Sequence, residues 1–460
     1  MKKIRVFWDQ RHGNIFNSII LNFEQHSIRN FLLRNHEGLP NKNLSKDVDI
    51  IVEPGKIKKA VELLKKIYKE YGLDYFYCVK YEKAYNCKGT NLNGTMAIHF
   101  DLMEGYFSRG FEIYTFDELY EQTIPYKNFR ILNKTYFGLM ILIYKQFGYK
   151  NPFFKDSYID IIFQTYHSYP GFKTELIKLT GDNLSTKIFK NIEIKDFDKI
   201  LAFSHSFTKS LQLYAFKKAP LMTIKNALFF YWQKFDRIIF NYRKYSKVFA
   251  VVGPDGSGKT TFLNTLIDNL KFFYADDESS DRFNLYHHRP NLLPNLGELS
   301  EKIGHKDQDK DFTNPHRANP ASMISSMIRL TYYWLDYIIG FNLLVRKDVQ
   351  RDRFSIFDRY SYDFLVDPKR IRLNLPFWIR NMYVKLMPHP KIVFYLDASP
   401  DVIYRRKQEL TLDEITKQNI LYKKLTSSNK RFITLDSNRP VNESVEEAIK
   451  IILDNFMIKH

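Results

Sequence analysis

The feature that most restricts this chain is the stretch at 248–262, VFAVVGPDGSGKTTF. Five apolar residues run straight into Gly253-Pro-Asp255-Gly256-Ser257-Gly258-Lys259-Thr260, the spacing G-x-x-x-x-G-K-[ST] of a phosphate-binding loop. The chemistry needs each part. Glycines let the backbone curl so that successive N–H groups aim at one anion, and Lys259 reaches the β- and γ-phosphates. Thr260 offers a hydroxyl to Mg²⁺, and the helix predicted to start beside it presents its positive end to the same anion. Gly253, Asp255, Gly256, Ser257, Gly258, Lys259, Thr260 and Thr261 are therefore the candidate nucleotide-binding residues. The competing reading is a glycine loop with no ligand.

From residue 247 onward the pattern alternates strand and helix, the mark of a parallel sheet flanked by helices. Candidate strands lie at 248–252, 283–287, 354–357, 392–396 and 432–435. Asp358 follows the third of these directly, at the strand edge where ligands bind in open α/β sheets, and is placed to order the Mg²⁺ shell. Arg359 beside it can clamp a phosphoryl group. Arg405 and Arg406 can cover a polyphosphate, or stand as basic residues near a helix C-terminus. His287 and His288 read as strand-end residues rather than ligands, and Asp336, set among tyrosines, as either a core acid or an acceptor contact.

The rest of the chain is organised differently. At 460 residues it is too long for one core, so two or three domains are expected: 1–168, a basic helical region at 169–246, and 247–460. Residues 1 to about 34 read as helix, and 128–166 as an aromatic-rich helical cap. Asp47 and Asp49 share one face of a predicted strand at 46–52, and a strand at 95–103 adds Asp101. Clustered carboxylates repel unless a cation sits between them, which makes the three a candidate Mg²⁺ site; acids capping loops are the alternative. Leu221, Ile224, Leu228, Phe235, Ile239 and Tyr242 recur at three- and four-residue spacing among Lys225, Lys234, Arg237, Arg243 and Lys244. This basic amphipathic helix, within 213–246, is expected to pack on a neighbouring domain, with peripheral contact to an acidic membrane as the alternative.

The formal charge of +19 points to an anionic partner. Lysine outnumbers arginine and forms no arginine-rich patch, which speaks for a basic nucleotide site and a lysine-rich composition rather than nucleic-acid binding. Two cysteines without CxxC spacing, no secretory signal and no long uncharged apolar run lead to the expectation of a soluble, cytoplasmic protein.

Two family resemblances rest on these residues. The C-terminal part resembles thymidylate kinases and the nucleotide-monophosphate kinases around them, through Gly253–Thr261, Asp358-Arg359-Tyr360 and the run from Leu396 to Arg406. The resemblance implies an ATP·Mg²⁺-dependent kinase in which Asp255 faces the acceptor, Arg289 of His288-Arg289-Pro290 contacts the acceptor phosphate, and Arg405 and Arg406 belong to a lid. The motif departs from the family where Leu335-Asp336-Tyr337 and Ser361-Tyr-Asp-Phe364 stand, so a nucleotide, a sugar or a lipid- or glycan-linked hydroxyl remain open as acceptor. A nucleotide-driven regulatory ATPase is a further alternative. Residues 32–105 resemble nucleotidyltransferases of the polymerase β type, whose D-x-D and third carboxylate hold Mg²⁺, although a Gly-Ser or Gly-Gly pair is replaced by Gly38-Leu39-Pro40. The fusion of both parts looks like bifunctional proteins of bacterial surface-polysaccharide gene clusters.

Overall fold

A computed structural model describes residues 8–43, 45, 47–146, 153–240, 246–275, 282–294 and 321–460. The described residues form two compact units, one drawn from Met1–Gln233, Phe272–Asp276 and Met457–His460, the other from Lys234–Lys271 and Asp277–Phe456.

The first unit opens with helix Gln10–Gln25, whose N-cap Asp9 accepts from the backbone N–H groups of Arg11 and His12. The helix expected to reach residue 34 ends here instead. Ser27 takes a left-handed backbone, with φ of 52°. The N–H of Ile28 returns to the Phe23 carbonyl at 2.8 Å and that of Ser27 to Glu24 at 2.9 Å. That pairing closes a helix, and no glycine announces it. The strands are β1 (Asn30–Leu32), β2 (Val48–Val52), β3 (Tyr75–Tyr81), β4 (Ala84–Thr90), β5 (Ala97–Met103), β6 (Gly105–Ser108), β7 (Phe111–Thr115), β8 (Thr123–Tyr126) and β9 (Phe129–Leu132). The cap predicted at 128–166 thus begins as a strand before its helices Lys134–Tyr144 and Asp156–Ser168.

One mostly antiparallel sheet runs Ile458–Lys459, β3, β4, β5, β2, β1, β9, β8, with parallel pairs at β2–β5 and β1–β9. Side-chain alternation splits β2 between two cores. Ile50 and Val52 meet Ile19, Phe23 and Leu64 from helices Gln10–Gln25 and Ile57–Glu70. Ile51 faces the other way, into a core with Leu139 and Ile162. Helices Pro170–Thr180, Asp182–Glu193 and Ser204–Lys218 bring Phe172, Ile188 and Leu211 into that same second core.

Helix Pro220–Ile239 reverses the expected packing. Leu221, Ile224, Leu228, Phe235 and Ile239 are exposed, whereas Thr223, Asn226 and Arg237 are buried. Tyr242, Arg243 and Lys244 lie outside the described residues.

In the second unit, β10 (Lys247–Val252), β11 (Phe283–His287), β12 (Phe354–Asp358), β13 (Ile392–Asp397) and β14 (Phe432–Asp436) form one sheet in the order β11-β12-β10-β13-β14. Every pair is parallel. All five predicted strands are present. Each residue of β10 is buried, as a central parallel strand covered on both faces requires. From β10 the chain goes to the edge strand β11, returns to β12 beside β10 and then crosses to β13 and β14 on the other side, so the connections change side at the carboxyl end of β10, which is where such sheets open a crevice.

Candidate active site

Residues 253–258 curl between β10 and helix Lys259–Phe273. Gly256 and Gly258 have φ of 87° and 89°, a region costly for residues with a Cβ. At Gly256 a Cβ would also lie 2.9 Å from the carbonyl oxygen of Ile403. The loop encloses one side of a cavity of about 440 Å³ lined by Asp255, Gly256, Gly258, Lys259, Thr260, Thr261, Asp358, Arg359 and Arg406 together with His287, Arg370 and Lys407. Five of these side chains are cationic and two are carboxylates, a balance that favours an anion.

Lys259 is buried, and its Nζ donates to the carbonyl oxygens of Gly253 at 2.9 Å and Pro254 at 2.8 Å. Burial, reinforced by the charge of Arg359, lowers its pKa to about 7. Asp255 accepts from both Arg359 and Arg370. Burial pushes the Asp255 carboxyl up, but Arg359, Lys259 and Arg370 together outweigh it and hold the group well below the ordinary carboxylate range. The other arm of Arg359 donates to buried Asp363 at 2.8 Å, and Asp363 in turn accepts from Tyr422 at 2.8 Å.

Asp358 ends β12, in parallel register with Val251 on β10 and with His287 on β11. Its Oδ2 lies 3.1 Å from Nδ1 of His287, and its Oδ1 is buried with no hydrogen-bond partner. Ser257 Oγ, beneath the loop, is likewise buried without a partner. Arg406 reaches the carbonyl oxygen of Ser437 at 3.1 Å, and Ser437 Oγ donates to that of Ser257 at 2.7 Å, joining the end of β14 to the loop. A second cavity of about 200 Å³ adjoins through Gly258, Thr261 and Arg406 and continues between Phe262, Leu396 and Val441.

Two expected site residues stand elsewhere. Arg289 does not line the cavity. It is buried and donates to Asp336 at 2.8 Å, and Asp336 also accepts from the N–H groups of Asn291 and Leu293. Asp336 is therefore a hydrogen-bonded core acid that fixes the turn after β11. Arg405 is exposed at the end of helix Pro400–Arg406 and lines neither cavity, while its neighbour Arg406 lines both. His287, Arg370 and Lys407 were missed as cavity residues. Lys407 adjoins the arginine pair that drew notice, but nothing in the local spacing around Arg370 singles it out.

In the first unit, carboxylate oxygens of Asp47, Asp49 and Asp101 all lie within 4.8 Å of one another. Asp49 and Asp101 are register partners on parallel β2 and β5, and Asp47 stands just before β2. Each acid has a protein donor: Ser45 Oγ to Asp47 at 2.8 Å, Arg34 Nε to Asp49 at 2.5 Å and Asn86 Nδ2 to Asp101 at 2.9 Å. Burial raises Asp49 to about 6, with Arg34 opposing and the two neighbouring acids adding to the shift.

A parallel sheet, a glycine loop at its switch point and an aspartate on the adjacent strand end give the second unit an α/β architecture consistent with a P-loop kinase fold. Part of the chain is thymidylate kinase-like in sequence. It is 27% identical over 217 residues to a protein described as "Probable thymidylate kinase 1" of Saccharolobus solfataricus, a match covering 46% of this chain and 98% of that one. A crystal structure of thymidylate kinase from Ehrlichia chaffeensis aligns over 45% of this chain and 98% of its own, at 18% identity and a TM-score of 0.29. No family model matches the chain.

Proposed function

We propose that this protein is an ATP- and Mg²⁺-dependent phosphotransferase of the thymidylate or nucleoside-monophosphate kinase type, with a nucleotide or a sugar as acceptor. One observation carries the reading: Lys259, Arg359, Arg370, Arg406 and Lys407 converge on a cavity floored by a glycine loop. The groups there suit the ligands. Lys259 Nζ is bonded to the loop's own carbonyl oxygens, as an ammonium awaiting an anion would be. The unpartnered Asp358 Oδ1 is an acceptor that the water shell of a divalent ion would satisfy. Likeness to a protein described as a probable thymidylate kinase supports the same class.

In this reading Lys259 and the backbone N–H groups of 255–260 hold the donor phosphates, and Thr260 with Asp358 holds the metal. Bound ATP·Mg²⁺ supplies the phosphoryl group and part of the charge neutralisation. Arg359 and Arg370, oriented by Asp255, meet the charge that spreads over the transferring group, where positioning and electrostatics do most of the work. Arg406 closes over the donor side, and the apolar walls of Phe262, Leu396 and Val441 take its base. The test is acceptor-dependent loss of the ATP γ-phosphate across a panel of nucleoside monophosphates and sugars, abolished by Lys259→Ala. A purified chain that binds no ATP at millimolar concentration would sink the proposal.

A second reading belongs to the first unit: Asp47, Asp49 and Asp101 hold a divalent cation for nucleotidyl transfer. The clustering of the three carboxylates favours it, and Arg34 would then share Asp49 with the metal. If an Asp47→Asn/Asp49→Asn double variant keeps every activity and all Mg²⁺ binding, the acids are structural.

A further inference from the structure

Helix Pro220–Ile239 sits in the fold the opposite way round from an ordinary surface helix, and within the first unit the reason is visible. Its inward stripe is small and polar. The amide of Gln233 accepts from the N–H of Glu82 at 2.8 Å and donates to the Glu82 carbonyl at 3.2 Å, and Thr223 Oγ1 donates to the Ala215 carbonyl at 3.2 Å. Ala227 passes so close to the turn between β6 and β7 that a Cβ on Gly110 would stand 2.4 Å from its Cα. These contacts fix the helix rotation. The side chains at three- and four-residue spacing that would normally seek a core are held outward: Leu221 is 84% exposed, Leu228 67%, Trp232 57%, and Ile224 and Tyr231 are also exposed. The run from Leu221 to Trp232 is about 17 Å long at ~1.5 Å per residue. Contiguous apolar surface of this kind marks a docking face.

Charge says what docks. Residues 204–233 contain four lysines and no acid, in a chain of formal charge +19. Lys225 lies on the apolar stripe itself, four residues from Leu221 and three from Leu228, and Lys217 is exposed just before the helix. Lys218 is paired with Glu118. Two copies of such a face would bring lysine to lysine, so a second copy of the chain is a poor match. An exposed row of Leu, Ile, Tyr and Trp beside unpaired lysines is the composition that enters the headgroup boundary of an anionic bilayer. No helix among the described residues is long and apolar enough to cross one.

We propose that the outward face of this helix, through Leu221, Ile224, Leu228, Tyr231 and Trp232 with Lys217 and Lys225, binds the surface of an anionic lipid bilayer. This holds or fails independently of the kinase reading. Co-flotation of the full chain with phosphatidylcholine vesicles containing phosphatidylglycerol, against phosphatidylcholine alone, tests it. The expected result is partition onto the anionic vesicles that falls with salt, drops more than about tenfold in Leu228→Glu/Trp232→Glu and about tenfold in Lys217→Ala/Lys225→Ala. Unaltered thermal unfolding in these surface variants shows that the fold is retained, and should the first variant misfold, the lysine pair still decides. The proposal is overturned by equal partition onto both vesicle types, by anionic binding that the variants leave unchanged, or by no vesicle binding together with a dimer in light scattering that Leu228→Glu/Trp232→Glu dissolves.

Discussion

Replacing Lys259 by Met separates what this residue does for the fold from what it does for a ligand. The two side chains are similar in length, and the site is 7% exposed. Burial moves the ammonium from an ordinary pKa of 10.5 to about 7. A base whose folded pKa lies below its unfolded one costs stability. The cost is full below pH 7, shrinks as pH rises and is gone above about 10.5. At pH 7 it is about 4 kcal/mol. Against it stand the two bonds to the carbonyls of Gly253 and Pro254, about 1 kcal/mol each. Lys259→Met is therefore expected to be more stable than the parent by about 2 kcal/mol at pH 7, with the gap closed near about pH 9 and the order reversed by about 1 kcal/mol at pH 10. ATP affinity should move the other way. Two charge-assisted contacts to phosphate at roughly 1.5–3 kcal/mol each put the loss at about 10²-fold or more. Urea unfolding at both pH values and calorimetric titration with ATP·Mg²⁺ measure the pair of effects. A variant that unfolds more easily at pH 7, or binds ATP within about threefold of the parent, refutes the placement of a buried cation aimed at phosphate.

Further outcomes follow from the same geometry. A polyphosphate beside Lys259 restores its proton, so binding takes up protons between pH 7 and 10.5, and ATP affinity should fall by up to about tenfold per pH unit in that window, read by titration across pH. Arg359→Ala removes the cationic partner of buried Asp363 and one partner of Asp255, and should lower stability by about 3–5 kcal/mol in urea unfolding. Arg359→Lys should recover only part of this, because one ammonium cannot serve both carboxylates as a guanidinium fork does. In the first unit, Gly110→Ala meets Ala227 at a backbone φ of 91° and should lower the unfolding midpoint, whereas the same change at Gly72, where φ is 74° but no atom lies within 4 Å, should have a smaller effect.

How much of this could be read beforehand depends on how local the determinants are. The phosphate loop, its flanking strand and helix and the position of Asp358 were legible because they rest on a contiguous motif and on short apolar runs bounded by turns. The acidic triad was legible for a related reason: Asp47 and Asp49 stand two positions apart at the start of one apolar run. Other features were hidden. The end of helix Gln10–Gln25 at Ser27 uses a left-handed serine, which carries no compositional signal. The pairing of Arg289 with Asp336 spans 47 positions, and no local spacing announces it.

By itself, then, the chain's order of residues determined that a glycine loop follows a buried strand and that five apolar segments join one sheet, since both are set by neighbours a few positions apart. Only the tertiary structure decided which distant cations stand around the loop, because Arg370 and Lys407 arrive on elements more than a hundred residues away. It also decided which face of helix Pro220–Ile239 turns inward. Periodicity shows that a helix has two faces, but a tight approach at Gly110 and the amide pairing of Gln233 with Glu82 choose between them.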